Sequence, residues 1–268
     1  MKQLAGGLVF VAMASAGCAL GEPTPDVDTT PAYLALGDSI AFGYDPHVPQ
    51  QTGVTGYPET LGAAMGLEVT NASCPGEASG GFISATGIDN GCRENRAAYP
   101  LHVDYDGTQL AFAIEFLRTH PNTQLVTIDL GANDAKKLQN ECAGSSGCVL
   151  GGFVGMLTKY VDNMKYIVGE LRKEYDGPLV ALQIYNPFPT DSLSQYGVER
   201  LNTTLSNVVA STGIVADGRA SFASAGGDDP CKAGLLIPMS DGTCDIHPTP
   251  KGHELLSNAI ESAMGAPQ

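Results

Sequence analysis

The chain has 268 residues, 43% of them hydrophobic, which supplies one sizeable core and excludes a disordered polypeptide. Its 29 acidic residues against 14 basic ones give a formal charge of −15. That balance excludes nucleic acid as a partner, because phosphates require lysine and arginine, and it excludes electrostatic docking on anionic lipid. The excess acid reads as surface charge that keeps an exported protein soluble.

The N-terminus reads as a targeting segment over residues 1–17. Lys2 provides a positive flank, and Leu4 to Gly17 is an apolar stretch too short to span a bilayer. Ala14-Ser15-Ala16 fits a small-x-small cleavage pattern. Ser15-Ala16-Gly17-Cys18 resembles a bacterial lipobox in which Cys18 is lipidated, although Ser15 stands where such boxes usually carry Leu. The seven cysteines bear on this choice. Lipidation of Cys18 leaves six, enough for three disulfides in an oxidising compartment. Sequence neighbours are expected to pair: Cys74 with Cys92, Cys142 with Cys148, and Cys231 with Cys244. No Cys-x-x-Cys spacing suggests zinc, and no metal site is expected. Residues 18–31, rich in Pro, Thr and Asp, read as a solvated tether. Export, as a cell-envelope lipoprotein or a freely secreted protein, is the expected localisation.

Strand and helix signals then alternate. Tyr33-Leu34-Ala35-Leu36 is an apolar run suited to a strand buried on both faces. Pro58 to Met65 reads as a helix and 67–70 as a second strand. Leu110, Ala113, Ile114 and Leu117 give Thr108 to Thr119 a helical period. A third strand covers 125–130. A long amphipathic helix over Phe153 to Tyr175 stops at Asp176-Gly177-Pro178. Strands follow at 179–184 and 214–216, separated by a helix over 198–211, and a final helix covers 250–264. Ala72 to Val103 and Phe222 to His247 read as long irregular loops pinned by cysteines. The alternation predicts a parallel five-stranded sheet covered by helices on both faces, an α/β fold in one domain over 32–268.

In such sheets ligands bind at the carboxyl ends of the strands. Gly37-Asp38-Ser39 follows the first strand, Cys74-Pro75-Gly76 the second and Gly131-Ala132-Asn133-Asp134 the third; Asp245-Ile246-His247-Pro248 precedes the last helix. One Ser, one Gly, one Asn and one His are therefore expected to meet along one sheet edge. Acyl transfer needs such a set: a hydroxyl nucleophile, an imidazole base and N–H donors for an oxyanion. Asn133-Asp134 would otherwise be an ordinary helix cap, and Gly76 an ordinary turn glycine. Neither Gly80-Gly81 nor Gly151-Gly152 has the surroundings of a phosphate loop. His253 and His120 read as structural.

The four blocks, in this order across Tyr33 to about Met264, resemble the SGNH (GDSL-type) hydrolase family, and within it secreted bacterial esterases and lipases. The resemblance implies a flavodoxin-like three-layer α/β/α fold and no cofactor. It implies Ser39 as nucleophile, His247 as base, and Ser39 N–H, Gly76 N–H and the Asn133 amide as the oxyanion hole. The family usually places an Asp three residues before the His; here that position is Cys244, and Asp245 lies two before. Asp245 or a main-chain oxygen near Cys244 is expected to orient His247, with Asp241 a distant second. The implied substrate is a small-molecule or lipid acyl ester, hydrolysed by a monomer that meets a membrane only through its anchor. Carbohydrate O-acetyl esterase and an inactive surface binding module are the alternatives. Phe82-Ile83 and Tyr185-Asn186-Pro187-Phe188 are candidates to line an acyl pocket.

Overall fold

A computed structural model describes residues 30–265; the expected signal peptide, Cys18 and most of the tether lie outside them. In chain order the elements are β1 (Ala32–Gly37), α1 (Ser39–Phe42), α2 (Tyr57–Met65), β2 (Glu68–Asn71), α3 (Ser79–Ile83), α4 (Cys92–Ala98), α5 (Gln109–Thr119), β3 (Thr123–Asp129), α6 (Ala132–Glu141) and α7 (Ser146–Glu174). They continue with β4 (Leu179–Leu182), α8 (Ser192–Val209), β5 (Ile214–Ala216), α9 (Gly218–Gly226), β6 (Leu236–Pro238), β7 (Cys244–Pro248) and α10 (Pro250–Gly265).

The central sheet is five-stranded and parallel, ordered β2-β1-β3-β4-β5. This is the flavodoxin-like order, with its switch point between β1 and β3. β1 is buried along its whole length, and alternate side chains serve opposite layers. Leu34 and Leu36 pack with α5, α7 and α8 through Leu117, Ile167 and Leu205. Tyr33 and Ala35 pack with α2, α9 and α10 through Leu61, Phe222 and Ile260. The layers are those of a three-layer α/β/α fold.

Four expectations need correction. Residues 72–103 are not one irregular loop, because α3 and α4 lie within them, and residues 222–247 contain the β6–β7 antiparallel hairpin. The long helix starts at Ser146, not Phe153, and α6 precedes it. Phe82 is fully buried in the core and cannot line an open pocket.

Disulfides join Cys74 to Cys92, Cys142 to Cys148 and Cys231 to Cys244, each closing a local loop. The first pins the loop after β2, the second ties α6 to the start of α7, and the third anchors β7.

Candidate active site

The nucleophile turn is built by β1 running into the four-residue helix α1. Gly37 has φ of +145°, and a Cβ there would lie 1.5 Å from Asp129 Oδ1, so only glycine fits. Gln109 brackets this peptide: Gly37 N–H donates to its Oε1 at 2.6 Å, and its Nε2 donates to Gly37 O at 3.0 Å. Asp38 caps α1, its Oδ1 accepting from Ile40 N at 2.9 Å. Ser39 is thereby presented at the first position of the helix, partly exposed at the carboxyl edge of the sheet.

His247 arrives from β7. Its Nε2 lies 2.8 Å from Ser39 Oγ, 208 residues away in sequence. Its Nδ1 bonds Asp245 Oδ1, the same oxygen that accepts from His247 N at 3.0 Å. The hydrogen bond from the ring, more than burial opposes it, holds the Asp245 carboxyl below the ordinary range. The Tyr44 ring lies 4.7 Å from the imidazole, and Tyr185 O–H donates to Ile246 O at 2.5 Å, fixing the strand from behind. Of the three ways considered for orienting His247, the structure places the Asp245 carboxylate there; Asp241 is occupied by Thr243.

Gly76 sits in a tight turn in which Glu77 N–H donates to Cys74 O at 3.0 Å. Its φ is +88°, and a Cβ would meet Asn90 O at 2.8 Å and Cys92 N at 2.9 Å. Asn133 is the second residue of α6, and its Nδ2 donates to Asp38 Oδ2 at 3.0 Å. Asn90, which sequence reasoning missed, joins the two loops: its N–H donates to Gly76 O at 3.0 Å and its Nδ2 to Asn133 Oδ1 at 2.9 Å. Asp134 is a brace, accepting from Ser79 N at 3.0 Å and Ser79 Oγ at 2.5 Å.

The remaining histidines stand apart from this relay. His253 lies on α10, where burial lowers its pKa to about 4. His47 Nε2 contacts Pro238 O, His102 Nε2 contacts Phe42 O, and His120 caps α5. Among the described residues, one cluster has metal-ligand geometry, Cys74, Glu77 and Cys92. Both of its sulfurs are in one disulfide, so it offers no thiolate.

A groove of about 580 Å³ lies beside this constellation, between α3, α6 and α7. Ile83, Ile88, Leu138 and Met156 form the apolar part of its lining, which they share with Lys137, Glu141, Lys159, Asp162 and, next to Asn133, Asp134. Ser39 and His247 are not part of its wall.

Solved structures with the same fold include phospholipase A1 from Streptomyces albidoflavus, with 17% identity and a TM-score of 0.60, covering 88% of this chain and 100% of that one. A lipase from a goat rumen metagenome has 20% identity and a TM-score of 0.56, covering 87% and 97%. An acetylxylan esterase from Geobacillus stearothermophilus has 17% identity and a TM-score of 0.54, covering 90% and 97%. No curated protein matches the chain by sequence. The profile of the GDSL-like lipase/acylhydrolase family matches residues 35–255, a span that holds all four sequence blocks and the relay joining Ser39 to His247. The chain therefore belongs to the GDSL-like lipase/acylhydrolase family and is an ester-hydrolysing enzyme.

Proposed function

We propose that the chain is a carboxylic ester hydrolase that works through a covalent acyl-serine at Ser39. The observation that carries this reading is the continuous relay from Ser39 Oγ through the His247 ring to Asp245. His247 Nε2 takes the hydroxyl proton as Oγ attacks the ester carbonyl. The carbonyl electrons move to oxygen, where Ser39 N–H, Gly76 N–H and the Asn133 amide act as donors. Asp245 holds the Nδ1–H tautomer and stabilises the imidazolium. Collapse of the tetrahedral species breaks the bond to the alcohol, which takes the proton from His247. Water, activated by the same imidazole, then releases the acid.

The fold does not choose a substrate, since phospholipase A1, a lipase and an acetylxylan esterase share it. The apolar groove beside Asn133 favours an ester with an extended acyl chain over an acetylated carbohydrate, whose acetyl group needs no such space. The intact relay argues against an inactive binding module. The three disulfides fit an oxidising, extracellular setting, and among the described residues no helix is long and apolar enough to cross a membrane.

The test uses p-nitrophenyl esters of graded acyl length with a serine-directed phosphonate. Turnover of these esters, phosphonate labelling of Ser39, and a kcat loss on the order of 10⁴ or more in Ser39→Ala are expected. Unlabelled Ser39 together with full activity of Ser39→Ala would remove this reading.

A further inference from the structure

Asp38 is the member of the constellation to which the relay and the oxyanion donors give no part. It is 2% exposed, and each oxygen of its carboxylate has one specific donor: Oδ1 takes Ile40 N–H at 2.9 Å, and Oδ2 takes Asn133 Nδ2 at 3.0 Å. A primary amide has one acceptor oxygen and two N–H donors. In Asn133 the oxygen is engaged by Asn90 at 2.9 Å and one N–H by Asp38. The amide therefore cannot flip, and one N–H remains for a ligand. We propose that Asp38 is the positioning residue of the oxyanion hole, its carboxylate fixing Asn133 so that the second N–H faces the substrate oxygen. This inference rests on the acyl-serine reading above.

A second buried carboxyl supports it. Asp129 Oδ1 accepts Asp38 N–H at 3.2 Å, while its Oδ2 is buried without a partner. The two acids border a cavity of about 20 Å³, room for about one water. Two adjacent carboxyls out of water hold one charge between them. Burial drives the pKa of Asp129 far up, and the neighbouring Asp38 carboxylate adds to the rise. Burial raises the Asp38 pKa to about 6, offset in part by the Ile40 N–H, by His247 when its ring is protonated, and by the Asn133 amide. A donor on each Asp38 oxygen, against an Asp129 Oδ2 with none, favours the charge on Asp38 and the shared proton on Asp129. The other titratable groups facing Asp38 are Asp134 from α6, Tyr57 from α2, Tyr160 from α7 and Tyr185 after β4. None of these carries positive charge; His247 supplies it only when its ring is protonated.

The test is a double-mutant cycle read as kcat and KM. In Asp38→Asn one side-chain oxygen becomes an NH₂ group facing either Ile40 N–H or the Asn133 amide, donor against donor. The expected loss is about 10- to 100-fold in kcat with KM within about twofold, the mark of an interaction made in the transition state. In an Asn133→Ala background the same substitution costs less than about threefold, because the group being positioned is gone. The gap between wild type and Asp38→Asn is widest above pH 6 and closes below it, where the native carboxyl is itself neutral. Asn90→Ala, which frees the other end of the amide, is the second variant; it shows the same kcat-selective loss and the same non-additivity. Losses that multiply in the cycles, or an unchanged kcat in both single variants, overturn the inference. Phosphonate labelling of Ser39 separates the two failures: labelled Ser39 with additive cycles removes only the role of Asp38, whereas unlabelled, dispensable Ser39 removes the acyl-serine reading itself.

Discussion

Asp245 reaches His247 because both lie on an extended strand. Residues i and i+2 of a strand share a face, so a carboxylate two positions before the histidine sits over the ring's Nδ1 edge. The same oxygen also receives His247 N–H, which locks the local backbone and the ring tautomer together. Asp245→Ala is expected to lower kcat by a factor about two orders of magnitude smaller than Ser39→Ala, since the orienting acid contributes less than the nucleophile. Steady-state kinetics on one short-chain ester checks this, and equal losses in the two variants would mean that Asp245 carries more than orientation. At this scale much was legible in sequence. Ser39, Gly76, Asn133, Asp245 and His247 stand in short blocks with a chemical signature. Asn90 and Gln109 do not: an amide side chain that braces a loop has no neighbours in sequence to mark it, and its task exists only once separate segments meet.

Helix α7 is the element that shapes the surroundings of the site. Its 29 residues span roughly 43 Å, against roughly 13–23 Å for the strands beside it. Tyr160 O–H donates to Leu130 O at 2.8 Å, so Tyr160 is level with the carboxyl end of β3. The about fourteen residues before it, roughly 21 Å of helix, therefore project past the sheet on the side where Ser39 sits. α6 packs on that projection, with Gly152 admitting Leu138 and the Cys142–Cys148 disulfide tying the ends. This hairpin is one wall of the apolar groove. It was poorly legible in sequence for a physical reason: α6 is short, buries no residue completely and has Leu138 as its one large apolar side chain, and the glycines at 147, 151, 152 and 155 read as loop. Gly155 lines the groove, and a Cβ there meets nothing within 4 Å. Gly155→Leu should therefore fold, with a gain of about 1 kcal/mol in helix propensity, while it fills the groove. Turnover of long-chain p-nitrophenyl esters is expected to fall about tenfold, and that of the acetyl ester to stay within about twofold. Equal rates on both would detach the groove from the acyl chain.

For the whole molecule, the excess of acid visible in composition conceals a smaller set of carboxyls buried in the fold. Glu77 is the clearest. It is 3% exposed, its Oε2 lies 3.5 Å from Gln109 Nε2, and burial raises its pKa to about 8, with the charge of Asp89 adding to the rise. Asp38, Asp129 and Asp134 are shifted upward as well, each chiefly by burial. A carboxyl whose folded pKa exceeds its unfolded one contributes stability that is complete below the unfolded value and is lost as pH rises to the folded value. For Glu77 that window runs from 4.5 to about 8, at about 1.4 kcal/mol per pH unit where the proton difference is complete. His253 acts in the other direction: lowered from 6.5 to about 4, it removes stability as pH falls through that range. The depressed Asp245 acts in that direction too, at still lower pH. Stability is thus squeezed toward mildly acidic pH, and the formal charge of −15 adds self-repulsion on the alkaline side. Glu77→Gln keeps the shape and the contact with Gln109 but has no proton to lose. Its melting temperature is expected to match wild type near pH 4.5 and to exceed it by about 10 °C or more at pH 8, since the full window amounts to about 5 kcal/mol and about 1 kcal/mol corresponds to about 2–4 °C in a chain of this size. Thermal melts of both proteins across that range decide the matter: a gap that stays constant with pH would mean that Glu77 ionises in the folded chain as it does in water, and that the Gln109 clamp on the nucleophile turn rests beside a charge.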